Sequence, residues 1–191
     1  MRRIIVVYGL LVTYMASERF LRQGEAARSL EGRPSDKGST RDIGRAIAAA
    51  ALTLGLAPLA NRYRIAVLPR RHLFFWIGVP AMAGGLFLRS WATRVLGSSY
   101  TRTLRVDAGQ HLIDRGPYSF VRHPGYLGTF LVWIGAALAL GNAAATAITT
   151  GVLLRAYRGR VAAEEKMLLD SFGDEYSRYA RRTRRIVPFI Y

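Results

Sequence analysis

From Pro124 to Leu154 the chain runs for 31 residues without a charged side chain. That run constrains the fold more than any other feature. A hydrocarbon core is about 30 Å thick and an α-helix rises about 1.5 Å per residue, so one crossing takes about 17–25 apolar residues. The run holds two short crossings, with Gly141-Asn142 as the natural turn between them. Three shorter uncharged runs precede it, Ile4–Ser17, Ala46–Asn61 and Leu73–Leu88. Flanking arginines extend such runs by reaching out to the headgroups. The pattern predicts an all-α, polytopic membrane helix bundle of about five transmembrane helices. One domain is expected over 1–191, with three helices in 1–93. A loop, helices 4 and 5 and a C-terminal amphipathic helix fill 94–191.

The balance of 28 Lys+Arg against 12 Asp+Glu, net +16, invites a nucleic-acid reading. The distribution argues against it, because the charges punctuate apolar runs and form no single stripe. Counted along five crossings, the loops 19–45 and 89–122 and the tail from Arg155 place 22 Lys/Arg on one side, leaving 6 on the other. The richer side is expected to be cytoplasmic, giving a multi-pass protein of the cell inner membrane with its C-terminus inside. Arg2 and Arg3 locally oppose this orientation of the first helix. A cleaved secretory signal ending before Ser17 would put Tyr14 at position −3, too large for a small-residue site, so helix 1 is read as retained. With no cysteine in the chain, disulfides, thiolate catalysis and thiolate metal sites are excluded. No metal is expected.

Helix 1 is expected over about Ile4–Phe20, helix 2 over Ile43–Ala60 with Pro58 kinking its end, and helix 3 over Leu73–Thr93. Ser39, Thr40 or Asp42 suits the cap of helix 2. Gly84-Gly85 suits close helix packing. The loop Arg22–Thr40 reads as irregular, Thr101–Val106 as an extended stretch, and Asp107–Gly109 and Asp114–Pro117 as turns. Helix 4 starts at Pro124, where a missing N–H costs nothing. Helix 5 runs from about Asn142 to Ser171. Beyond it, Phe172, Tyr176 and Tyr179 fall on one face among five arginines, as in a helix lying on an anionic membrane.

Two polar clusters bracket the hairpin. At the start of helix 4, the free N–H groups and the helix dipole favour an anion, with Arg122 and His123 as further donors. His123 would equally serve as a plain helix cap, and Arg122 as an interfacial anchor. On helix 5, Arg160 and Glu164 are four apart and share a face, with Glu165 rotated about 100° from it. They would equally form an ordinary ion pair on a solvated helix. Antiparallel packing returns helix 5 to the end where helix 4 began, so the clusters should meet. A helix N-terminus for a carboxylate and a Glu for hydroxyls or a cation suit a zwitterionic, nucleotide-like cofactor. Tyr118 and Tyr126 read either as its stacking partners or as belt tyrosines. No G-x-G-x-x-G follows a strand, and no phosphate-loop, G-x-S-x-G or H-E-x-x-H motif is present.

Gly116-Pro117-Tyr118, Arg122-His123-Pro124-x-Tyr126-x-Gly128, the hairpin, Glu164-Glu165 and Phe172-Gly173-x-Glu175-Tyr176-x-x-Tyr179…Arg185-x-x-Pro188 together resemble the signature of integral-membrane methyltransferases. The resemblance is to the isoprenylcysteine carboxyl methyltransferase family; phospholipid N-methyltransferases share the core motif. It covers Leu112–Pro188 closely and Arg89–Gln110 more loosely. It implies methyl transfer from S-adenosyl-L-methionine to a lipophilic acceptor. The cytoplasmic cofactor pocket would be formed by the last two helices, the preceding loop and the tail. Gln110, His111, Leu112 and Ile113 correspond to the strip over the cofactor, and Tyr118 to a contacting tyrosine. His123, Pro124, Gly125 and Tyr126 correspond to the stretch holding its methionine end, and Glu164 to its acidic ligand. Arg160 corresponds to the arginine facing the substrate carboxylate, the catalytic and substrate-binding position. Glu165 completes the pair in a structural role. The implied partners are a prenylated or other lipophilic acceptor and membrane lipid, with no nucleic acid. A carboxylate needs no base, whereas a lipid phenol or amine would need one, His111 or Glu165 being the candidates. A non-catalytic membrane relative and a nicotinamide-dependent membrane reductase are the other classes left open.

Overall fold

The computed structural model describes residues 2–21, 38–97 and 111–186. Five long helices follow in chain order: α1 (Arg2–Leu21), α2 (Ser39–Arg62), α3 (Arg71–Leu96), α4 (Pro124–Leu140) and α5 (Ala143–Arg182). A short 3-10 turn, Gly116–Ser119, precedes α4 where an Asp-Arg-Gly-Pro turn was expected. Among the described residues there is no strand, only the isolated bridges Val67–Asn142 and Val121–Arg184. The extended stretch Thr101–Val106, the turn at Asp107 and most of the loop after α1 lie outside the described residues.

Two of the five helices, α2 and α3, are long and apolar enough to cross a membrane; α4 is apolar but only 17 residues long. The outer faces carry Ile5, Val12, Leu52, Trp76 and Phe87, each 66–68% exposed. Large apolar side chains in that number suit lipid better than water. The buried centre is built from Val7, Leu54, Met82, Val132 and Leu153, one from each helix.

The α3–α4 crossing is set by glycines. A Cβ on Gly85 would lie 2.6 Å from the Gly128 carbonyl oxygen, and one on Gly128 would lie 2.7 Å from that of Gly85. Gly78 and Gly135 meet in the same way two turns along, so the backbones touch, as small residues permit in membrane bundles. Gly84, the other half of the expected packing pair, faces open space.

The hairpin turns where expected. Gly141, at φ 71, ends α4 in the left-handed conformation that favours glycine, and Asn142 caps α5 by accepting a hydrogen bond from the Ala145 amide at 2.9 Å. Asn142 also donates to Asn61 and to the Ile65 carbonyl. This pins the α2–α3 loop to the turn. Helix α2 continues through Pro58 to Arg62, past the expected end. Its N-cap is Gly38, and no side chain caps it. The expected cappers Ser39 and Thr40 are engaged elsewhere.

Helix α5 runs beyond the expected Ser171, broken only at Gly173 (φ 50, ψ −119). This break re-aims the tail. Tyr176 and Tyr179 are buried against the protein, and the Tyr179 hydroxyl donates to the Tyr118 carbonyl at 2.8 Å. On the aromatic face of the tail, Tyr176 and Tyr179 therefore pack inward against the protein, while Phe172 is half-buried. Backbone hydrogen bonds from Arg122 to the Arg184 carbonyl and from His123 to the Arg185 carbonyl fasten it there.

Candidate functional site

Antiparallel packing brings the two polar clusters together at one end of the bundle. His123 occupies the position before α4 but makes no side-chain cap bond. The residue is 4% exposed, and its ring stacks on Tyr126, with centroids 5.3 Å apart and planes 7° from parallel. The Tyr126 hydroxyl donates to Glu164 Oε2 and accepts from Arg160 Nε at 3.1 Å. One hydroxyl thus links the cation and the carboxylate, in place of the isolated helical ion pair the spacing alone would permit. Arg160 is 5% exposed. Its Nη1 donates to Ser39 Oγ and Thr40 Oγ1, both at 3.1 Å. The start of α2 therefore contributes to the site, a role that sequence reasoning missed because both hydroxyls suited the helix cap.

Glu165 faces a different set of partners. Its Oε1 accepts from Arg122 Nε at 2.8 Å, its Oε2 pairs with Arg185 Nε at 2.9 Å, and His123 Nε2 lies 3.4 Å from Oε1 without an aligned hydrogen bond. Burial alone would raise the Glu165 carboxyl; the neighbouring His123 and Arg122 more than offset it and hold the group at about 2. Arg122 also donates to the Ala180 and Thr183 carbonyls. It is therefore a fastener for the tail, not the anion donor expected at the helix start. Burial raises the Tyr176 and Tyr179 phenols.

The remaining expected residues are placed less centrally. Pro124 and Gly125 are buried, and Gly125 is small because Arg89 passes over it: a Cβ there would lie 2.8 Å from Arg89 Nη1. Arg89 makes two hydrogen bonds with Glu18, at 2.7 and 3.1 Å, tying α3 to α1 beneath the site. Neither residue was singled out from sequence, although each is the charge that ends an uncharged run. Tyr118 is buried under the tail. Leu112 and Ile113 are half-buried and His111 is exposed; among the described residues the three make no hydrogen bond or ion pair with the cluster. Asp114, next to them, pairs with Arg182 of the tail. Gln110 lies outside the described residues.

The sequence model of the isoprenylcysteine carboxyl methyltransferase family matches residues 76–170, which span α3 to the Glu pair. Protein-S-isoprenylcysteine O-methyltransferase B of Arabidopsis thaliana is 31% identical over 146 residues, covering 73% of this chain and 74% of the plant protein. The chain belongs to the isoprenylcysteine carboxyl methyltransferase family. A probable protein-S-isoprenylcysteine O-methyltransferase of Oryza sativa subsp. indica is 37% identical over 118 residues; the match covers 60% of this chain and 61% of the rice protein's length. The fold is that of the solved eukaryotic intramembrane Ras methyltransferase, with a TM-score of 0.74 at 21% identity, over 98% of this chain and 68% of that one. The family read from the Arg-His-Pro signature is thus the one that the sequence comparisons return.

Proposed function

We propose that the chain transfers a methyl group from S-adenosyl-L-methionine to the carboxylate of a lipophilic, prenylcysteine-like acceptor, at the cytoplasmic surface of the cell inner membrane. The observation that carries this reading is the Arg160–Tyr126–Glu164 chain: a buried cation and a quarter-exposed carboxylate held on one hydroxyl at the end of an apolar bundle.

The residues fit the cofactor. Among the described residues Glu164 has one oxygen engaged by Tyr126 and the other without a hydrogen bond, which suits ribose hydroxyls or an ammonium group. Among the described residues the Tyr176 hydroxyl is buried without a hydrogen bond and His123 Nε2 without an aligned one, and buried polar atoms are usually completed by protein, ordered water or a ligand. When bound, S-adenosylmethionine supplies an already activated sulfonium methyl. The protein then needs alignment more than acid–base chemistry. Arg160, fixed by Tyr126, Ser39 and Thr40, orients the acceptor carboxylate by a charge-assisted contact. An amine acceptor would meet a like charge at Arg160. Because that contact also stabilises the ground state, Arg160 acts mainly by positioning. The exposed apolar belt suits an acceptor that arrives laterally from lipid.

Calorimetry with S-adenosylmethionine and S-adenosylhomocysteine on detergent-purified protein, with Glu164→Ala alongside, tests the reading. Loss of a hydrogen bond to a charged group is worth about 1.5–3 kcal/mol, so the variant should bind about 10- to 150-fold more weakly. Absence of binding to folded wild-type protein, or equal binding by the variant, refutes it.

A further inference from the structure

At the end of the bundle opposite the His123–Glu165 cluster lies an open cavity of about 630 Å³. Arg2 and Arg3 from the start of α1, Arg62 from the end of α2 and Arg71 from the start of α3 converge on it. No carboxylate lines it among the described residues. Four cations around one cavity repel each other unless an anion joins them. Two features hold arginines in that place. The Arg71 stem lies across Gly141, where a Cβ would sit 2.9 Å from its Cγ, and the Arg3 guanidinium stands 5.5 Å from the Phe75 ring centre. Helices α1 and α3 both begin here, so their positive dipole ends add to the field. No side chain caps α3. That leaves first-turn amides for an anion.

Apart from Asn61, the rest of the lining is apolar. Ile4, Pro58 and Leu140 border the cavity, and Ile5 beside them is 67% exposed on the outer face. A free phosphate gains nothing from such a border, whereas a lipid phosphate with its chains along the outer face does. We infer that this cavity binds the phosphate headgroup of an anionic membrane lipid on the face away from the methyl-transfer site. Arg2 and Arg3 oppose the orientation set by the other loops, and a headgroup site explains why four of the six basic residues counted on that side gather at one point.

The test is thermal unfolding of delipidated protein in neutral detergent, followed by tryptophan fluorescence and titrated with phosphatidylglycerol, phosphatidylcholine or inorganic phosphate. A ligand that binds only the folded state raises the midpoint in a concentration-dependent way. Phosphatidylglycerol should raise it and phosphatidylcholine should not. Arg62→Gln with Arg71→Gln should weaken the apparent lipid affinity about 25-fold, at about fivefold per arginine. Arg2→Gln with Arg3→Gln, exposed on the first turn of α1, should weaken it similarly without threatening the fold. Equal stabilisation by phosphatidylcholine, or an unchanged response in both double variants, overturns the site. Equal stabilisation by inorganic phosphate overturns the lipid assignment.

Discussion

Tyr126→Phe removes one oxygen and leaves the ring that stacks on His123 and touches Tyr157. That oxygen links Arg160 to the α4 side of the site, whereas Ser39 and Thr40, which also accept from Arg160, are on α2. Two charge-assisted hydrogen bonds vanish together, one to Arg160 and one to Glu164. Each is worth about 1.5–3 kcal/mol when fully buried. Water replaces much of the Glu164 bond, because that carboxylate is 25% exposed, and Ser39 and Thr40 still hold Arg160. The expected net loss is about 2 kcal/mol, or about 30-fold in kcat/KM. Initial rates of radiolabelled methyl transfer to a prenylated cysteine, with cofactor affinity from calorimetry, would measure it. A positioning role predicts that kcat falls with cofactor binding weakened only modestly. A rate within threefold of wild type in a folded variant would refute the linkage of Arg160 to Glu164 through Tyr126.

Two further outcomes follow from other contacts. The Glu165 carboxyl is depressed from 4.5 to about 2. The stability it contributes is therefore fully present above about pH 4.5 and is lost as the pH falls through about 2. Thermal midpoints between pH 5 and pH 3 should fall, while Glu165→Gln should be less stable at neutral pH and flatter across that window; an equal slope in the variant would contradict the assignment. For the helix crossing, Gly85→Ala would drive a Cβ into the Gly128 backbone and should cost about 1–3 kcal/mol. Gly84→Ala faces open space and should be neutral or stabilising by up to about 1 kcal/mol; paired midpoint measurements compare them.

Features tied to charge and chain length were legible from sequence. The uncharged run and Gly141-Asn142 gave helices α4 and α5, their turn and the meeting of His123 with Glu164, because an antiparallel hairpin of known rise leaves one geometry. Three features were not legible. Ser39 and Thr40 read as helix caps because local rules see only the nearest backbone, while the structure brings Arg160 to them across 121 and 120 residues. The Arg89–Glu18 pair spans 71 residues, and each partner alone resembled an interfacial charge. The tail was assigned to the membrane on its periodicity. Whether an aromatic stripe faces lipid or protein depends on the Gly173 break and on backbone hydrogen bonds to residues 120–123, neither of which has a periodic signal.

The neighbouring carboxylates of the Glu164-Glu165 pair are separated in role by what surrounds them. Glu165 meets two arginines and a buried imidazole, so its charge is already neutralised, and it binds the tail to the start of α4. Glu164 meets, among the described residues, only a neutral hydroxyl at hydrogen-bond distance, with His123 Nδ1 at 3.8 Å. Its charge is therefore still available to a cationic or hydroxyl-bearing ligand. Arg160 carries the opposite sign, and the hydroxyls of Tyr126, Ser39 and Thr40 accept from it and fix its direction. A site of this kind holds one cation and one anion a single hydroxyl apart. Direct contact would let them neutralise each other. In the proposed methyl transfer, Arg160 would face the acceptor carboxylate and Glu164 the positively charged methyl donor. Such a division favours bringing two reactants of opposite charge together in one orientation.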